Sequence, residues 1–269
     1  GAIGLMGLIF MQMDKVLLSR LLPLEEFGQY MLAATVAGAL YVLAMPFFNA
    51  VYPRFSTLIA QGASTELALR YRRSTQLLTT ALFPITGFLV FFSVDLVAYW
   101  TGNSSLAYAT GPVVSLLAAG SAIHGVMHIP HALQLAAGRV DLPMKINSTL
   151  LVILVPLTIY LASSYGAIGG GIAWLTLHIL YILLGTVLTH RHLLRELRWT
   201  WIGCDVVVPA ILSGAVLAIA RRVTDTQDLS LPWSLLAGAV AVALAAATCV
   251  GVFGVMNRPI TAADAMAEH

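Results

Sequence analysis

Charge is scarce in this chain. Of its 269 residues, 14 are Lys or Arg and 12 are Asp or Glu, 10% in all, where an ordinary soluble domain carries about 25%. So few charges cannot cover the apolar surface that a soluble fold of this length would show to water, which excludes that class. Cysteine is scarcer still. Cys204 and Cys249 stand alone in apolar runs, so no disulfide framework and no zinc spacing exists, and both read as small hydrophobes. No basic segment followed by a short apolar stretch and a small-residue cleavage site opens the chain. There is no HExxH, no serine elbow and no Gly-rich nucleotide loop. The motifs therefore assign no catalytic residue, no cofactor and no metal. Short repeats and low-complexity tracts are also missing.

Hydrophobicity is what the chain has in excess: 59% of residues, with a mean hydropathy of +0.88. Eight apolar runs reach helix length, over 1–22, 29–60, 75–99, 108–137, 144–163, 167–189, 204–222 and 232–254. A spanning helix needs about 20 residues. Backbone groups in lipid must be paired within their own segment, and the runs are too long for barrel strands. The fold class expected is an all-α integral membrane bundle of about eight transmembrane helices.

The punctuation between runs is short. Pro23 stops the first helix before Glu25-Glu26. The segment 61–74 is polar, 101–105 and 163–166 are neutral turns, and 138–141 breaks before Pro143. A basic amphipathic linker follows His190, and Pro232 opens the last run. Pro46, Pro53, Pro84, Pro130, Pro156 and Pro209 fall inside runs, each a candidate kink beside a cavity or a proline that a membrane helix simply tolerates.

Lys and Arg set the orientation. The even connections and the tail hold Arg70, Arg72, Arg73, Arg139, Lys145, Arg191, Arg195, Arg198 and Arg258, nine in all; the odd ones hold Arg20, Arg221 and Arg222, three. The even connections are expected in the cytoplasm, and with them the C-terminus. Positive-inside topology and anionic lipid account for these basic segments without nucleic acid.

Two charges break the pattern. Asp14 and Lys15 lie inside the first run, about 20 Å from its start at 1.5 Å per residue. A charge at that depth costs at least about 2.5–3.5 kcal/mol unless it meets a partner or a wet cavity. Gln12, Lys15 and Ser19 share one helix face and Asp14 flanks it, so a polar stripe is expected to line an inter-helix hollow. Adjacent residues point about 100° apart, so Asp14 and Lys15 are not expected to form a clean pair. One reading makes Lys15 a cation for an anionic headgroup and Asp14 an ion-coupling carboxylate. The other makes both structural partners of charges on neighbouring helices. Arg54, after Pro53, either snorkels to headgroups or points into the cavity, where Asn49 and Tyr52 would extend it.

His124, His128 and His131 fall in a stripe about 60° wide on one helix, with Ser121 beside it and Gln134 near. Two His at i, i+4 can hold zinc, but no third ligand accompanies them. Packing, a wet cavity wall or a proton relay remain. His178 reads as a structural histidine, and Asp95, beside Tyr99 and Trp100, as an interface anchor.

The stretch Met13–Tyr30, with Asp14, Leu17-Leu18-Ser19 and Gly28-Gln29-Tyr30, and the later Pro53-Arg54, resembles polysaccharide flippases of the O-antigen, Wzx type. These belong to the multidrug/oligosaccharidyl-lipid/polysaccharide exporter superfamily. The resemblance covers about residues 1–190 and extends to Asn147 as a polar cavity position and to the run Gly166–Ala173, whose small residues let helices approach closely. It implies that 1–190 is a six-helix lobe, the C-terminal half of a longer transporter. It further implies that 191–203 is a basic cytoplasmic linker, 204–256 an added helix pair and 257–269 a cytoplasmic tail. The implied activity is flipping of a lipid-linked oligosaccharide on an undecaprenyl-diphosphate carrier, by alternating access across the cytoplasmic (inner) membrane, for surface polysaccharide such as lipopolysaccharide. The implied partners are that lipid-linked substrate, the bilayer and the absent N-terminal lobe. Two rivals stand beside it: a small-molecule antiporter of the same superfamily, which would want acidic rather than cationic cavity residues, and an intramembrane acyl- or glycosyltransferase, which would need the histidines to meet an acidic group in a closed pocket.

Overall fold

The computed structural model describes residues 2–257, and for 2–11 the backbone alone. The tail from 258 on, with Arg258, lies outside the described residues. The described chain is helical almost throughout. Helix α1 is Ala2–Leu21 and α2 is Leu24–Ala60; α3 (Ser64–Phe91) and α4 (Ser93–Thr101) form one span, as do α5 (Ser104–Val126) and α6 (His128–Ala136). The helical run Asp141–His192 breaks at Gly166, where φ is 61° and ψ −140°, into α7 (141–165) and α8 (167–192). After a short 3₁₀ turn at Arg195–Leu197 and a wide π-type turn at Trp201–Val207 come α9 (Val208–Thr226) and α10 (Leu231–Met256).

The helices overrun the apolar runs at several ends. The polar connection expected over 61–74 shrinks to 61–63, and Arg70, Arg72 and Arg73 sit within α3. Hydropathy marks only what lipid surrounds, whereas Glu and Arg are good helix formers that carry a helix on into the headgroup layer. The breaks do not follow the prolines. The helices continue through Pro46, Pro53, Pro84 and Pro156, and the interruptions fall at Phe92, Met127 and Gly166. Pro130 sits three residues past one of them and Pro209 opens α9.

Backbone conformation makes Gly166 the break, since φ of 61° with ψ of −140° is one that L side chains rarely adopt. A side chain there would run into the Glu26 carboxylate, which accepts a hydrogen bond from the Ala167 N–H at 3.3 Å and so complements the positive N-terminus of α8. Next along, a Cβ on Gly170 would press on Leu18 at 2.8 Å and Tyr30 at 3.0 Å. The small-residue run thus lets α8 close onto α1 and α2. Helix α5 is central, packed against α2, α3, α4 and the α7–α8 pair, while α9 and α10 dock on α3.

Outside, large apolar side chains point away from the bundle: Val152 is 75% exposed and Leu24 86%. Water would not tolerate this much contiguous apolar surface; lipid does. Exposed Tyr99, Trp100, Tyr108, Tyr165 and Trp233 gather at one end, as interface aromatics do. At that end Asp95 does more than anchor: it accepts from Arg221 Nη1 at 2.6 Å and from Ser234 Oγ, tying α4 to α9 and α10. The opposite end carries most of the Lys and Arg. There Asp141 accepts two bonds from Arg139 at 2.8 and 3.0 Å, which hold that guanidinium above its ordinary pKa. Cys204 and Cys249 are free thiols, the second buried beside Ser213.

Candidate functional site

Asp14 is brought into the bundle by the face α1 turns toward α2 and α8. It is only 3% exposed. Its Oδ2 accepts from the Tyr30 hydroxyl at 2.7 Å, a short, strong bond to a charged acceptor. Lys15 reaches back to Asp14 Oδ1 at 3.4 Å, longer than a good hydrogen bond, and its ammonium lies 5.9 Å from the Trp174 ring centroid, within cation–π range. The two neighbours do touch, because the flexible Lys stem bends across the angle between them, yet the well-formed partner of Asp14 is Tyr30 on the next helix.

These groups line a hollow of about 110 Å³, room for several water molecules. Gln12, Asp14 and Lys15 come from α1, Tyr30, Ala34, Ala37, Gly38 and Tyr41 from α2, Leu117, Ser121 and His124 from α5, and Trp174 from α8. Small residues of α2 leave the space, and polar residues of three helices face it. Two buried polar atoms on its walls, His124 Nδ1 and Trp174 Nε1, have no hydrogen-bond partner among the described residues.

Other residues expected at the site lie elsewhere. Ser19 turns outward and donates to its own helix at Val16 O, 2.9 Å. Arg54 pairs with Glu66 at 2.8 Å, both side chains about half exposed at 48% and 49%, so it binds α2 to α3 away from the hollow. Asn49 and Tyr52 face outward, Tyr52 stacked on Phe48, and Asn147 is not among the lining residues. Helical spacing alone could not separate Lys15 from Ser19, since both share a face but sit a full turn apart in depth.

The histidine stripe divides as well. Only His124 shares the hollow with the Asp14 carboxylate. His128 lies edge-on to Tyr41 at 5.3 Å and His131 stacks on Phe48 at 5.7 Å. No group of three metal-ligating side chains occurs among the described residues. His178, from α8, closes on His124 at 5.1 Å, a neighbour that its distance in sequence hid.

A second polar cluster went unread in the sequence. Asp205, fully buried, accepts two bonds from Arg72 at 2.8 and 2.9 Å and one from Gln76 at 2.8 Å. Trp201, expected in a linker, is buried and donates to Thr75 at 2.9 Å. Its only sequence signal was an acid placed just inside an apolar run.

A multi-pass helical bundle with a charged pocket among its central helices is the class these features define. A family model described as "Polysaccharide biosynthesis protein" matches residues 2–110, the segment that supplies α1, α2 and most of the lining. Among solved structures the fold is similar to "Lipid II flippase MurJ, inward closed conformation", with a TM-score of 0.62 at 12% identity over 91% of this chain. This chain spans about half, 51%, of that flippase's length. No curated protein matches the sequence. Family match and fold are both in keeping with the resemblance carried by Met13–Tyr30.

Proposed function

We propose that this chain is one half of a transporter that flips a lipid-linked oligosaccharide across the cytoplasmic membrane by alternating access. In this reading 1–190 is the six-helix lobe, 191–203 the linker and 204–256 the added pair, and a second lobe completes the pathway. The observation that carries it is the hollow. It holds an ammonium and a buried carboxylate, with room for water, among helices whose fold is similar to part of a flippase. Lys15 holds an anionic headgroup of the undecaprenyl-diphosphate type while the lipid tail stays in the bilayer. Asp14, poised by Tyr30, couples an ion to the movement. At about 110 Å³ the hollow admits a phosphate-sized group and not a glycan. The Lys15 ammonium in the lining weighs against the drug-antiporter reading, and one histidine of three near the carboxylate gives the transferase reading little to build on.

The test is complementation of a surface-polysaccharide flippase deletion with the full-length gene, followed by Lys15→Ala and Asp14→Ala. Each substitution is expected to cut polymer at the cell surface by about ten-fold or more, the cost of one lost charge contact. Normal polymer from both would remove Lys15 and Asp14 from the site.

A further inference from the structure

We infer that a groove between α3 and α10, at the basic end of the bundle, is a binding site for a single anionic glycerophospholipid. The site lies away from the hollow and does not depend on the reading of the hollow as the working site.

The arginines of α3 carry the inference. Arg72 is committed, donating twice to the buried Asp205 at 2.8 and 2.9 Å. Arg73 points about 100° away from it. It is exposed and makes no hydrogen bond or ion pair among the described residues. Arg70, one turn nearer the helix end on the same face, is exposed and equally uncommitted among those residues. The carboxylate nearest to them in sequence, Glu66, is taken by Arg54 at 2.8 Å. Two cations thus share one helix face, without a protein anion among the described residues, where the apolar run of α3 begins.

Below Arg73 the surface between the two helices is a groove of about 330 Å³. The helices run in opposite directions, so Arg73 shares the mouth with Asn257, and Thr80 shares the far end with Val250. Arg73 to Thr80 is about 10 Å at 1.5 Å per residue. Leu77, Phe253 and Gly254 line the stretch between. The mouth is held in shape by Gln76, which donates to Asp205 at 2.8 Å and accepts from Asn257 Nδ2 at 2.7 Å. The second hydrogen of that amide nitrogen is left for a guest. A guanidinium and an amide donor above an apolar trough match a phosphate followed by glycerol and an acyl chain. A soluble anion would fill the mouth and leave the trough bare. A neutral lipid would fill the trough and leave the arginines unpaired, and a zwitterionic one would bring its own cation beside them. Basic pockets between helices at the cytoplasmic end hold anionic headgroups by the same attraction. A lipid seated here touches α3 and α10 together and so helps to fasten the last helix pair to the rest.

A fluorophore beside the groove tests this. In the full-length protein freed of its own cysteines, bimane is attached at Gly251→Cys, next to Val250, where a Cβ meets no atom within 4 Å. The protein is reconstituted in phosphatidylcholine vesicles in which a small fraction of the lipid carries a nitroxide on its acyl chain. Nitroxide-labelled phosphatidylglycerol is expected to occupy the groove about twenty-five-fold more readily than nitroxide-labelled phosphatidylcholine, roughly five-fold for each arginine, and so to quench more at equal fraction. Arg73→Gln is expected to cut that preference about five-fold, and Arg70→Gln with Arg73→Gln to abolish it. Gly254→Phe fills the trough from a position with open space around it and is expected to remove the preference with both arginines in place. Arg191→Gln, exposed at the same end but outside the groove, is expected to leave it unchanged. Equal quenching by the two lipids without these substitutions overturns the site. So does a preference that survives the double arginine substitution or Gly254→Phe, or one that Arg191→Gln lowers as much as Arg73→Gln does.

Discussion

The pairing of Asp14 with Tyr30 is the contact on which the hollow turns. A carboxylate this deeply buried needs donors, and it has a hydroxyl at 2.7 Å and an ammonium at 3.4 Å. Tyr30→Phe keeps the ring, which packs against the Gly170 face of α8, and removes only the short bond. The expected loss is about 1–3 kcal/mol of stability, the cost of a buried acceptor left without its donor, read as a lower midpoint in thermal unfolding of the detergent-solubilised protein. An unchanged midpoint would mean that water replaces the hydroxyl. Lys15 behaves differently. Among its contacts are a long ion pair to Asp14 and the face of Trp174, both longer than the Asp14–Tyr30 bond.

Among the elements, the π-type turn at Trp201–Val207 decides how the last two helices attach. It widens the entry into α9 so that Asp205 points inward to Arg72 and Gln76 on α3 instead of to the headgroups. Gln76 in turn accepts from Asn257 at 2.7 Å, which brings in the end of α10. Asp205→Ala strands a partly buried guanidinium, and the expected cost is about 3 kcal/mol. The double substitution Arg72→Met with Asp205→Leu, apolar on both sides, is expected to recover most of it. Thermal unfolding of the single and double variants checks this, and a double variant as weak as the single would show that the attachment depends on charge and not on packing. The segment 191–203 expected as a linker runs from exposed Arg191 and Arg195 to a buried Trp201.

Over the molecule as a whole, charge and aromatics sort to opposite ends. Arg70, Arg72, Arg73, Arg139, Lys145, Arg191, Arg195 and Arg198 lie at the end formed by 61–63, 137–140 and 193–200; Arg20, Arg221 and Arg222 lie at the other with most of the exposed aromatics. By the positive-inside rule the basic end is the one expected in the cytoplasm. In a variant lacking Cys204 and Cys249, single cysteines at Gly62 and Gly138 are expected to resist a membrane-impermeant thiol reagent added outside intact cells. Cysteines at Gly102 and Ser164 are expected to react. The reverse pattern would invert the molecule and place the hollow nearer the other face.

Eight apolar spans, their approximate ends and the oddity of Asp14-Lys15 were legible in the residues alone. Apolar length and the cost of an ion in oil are local properties, carried by each segment wherever its neighbours lie. The partners were not legible. Tyr30 is 16 residues from Asp14, Asp205 is 133 from Arg72, and His124 meets His178 from another helix. Which of these meet depends on how far each helix turns about its own axis before glycines such as Gly170 let it close on the next, and that rotation is a property of the packed bundle that no single segment encodes.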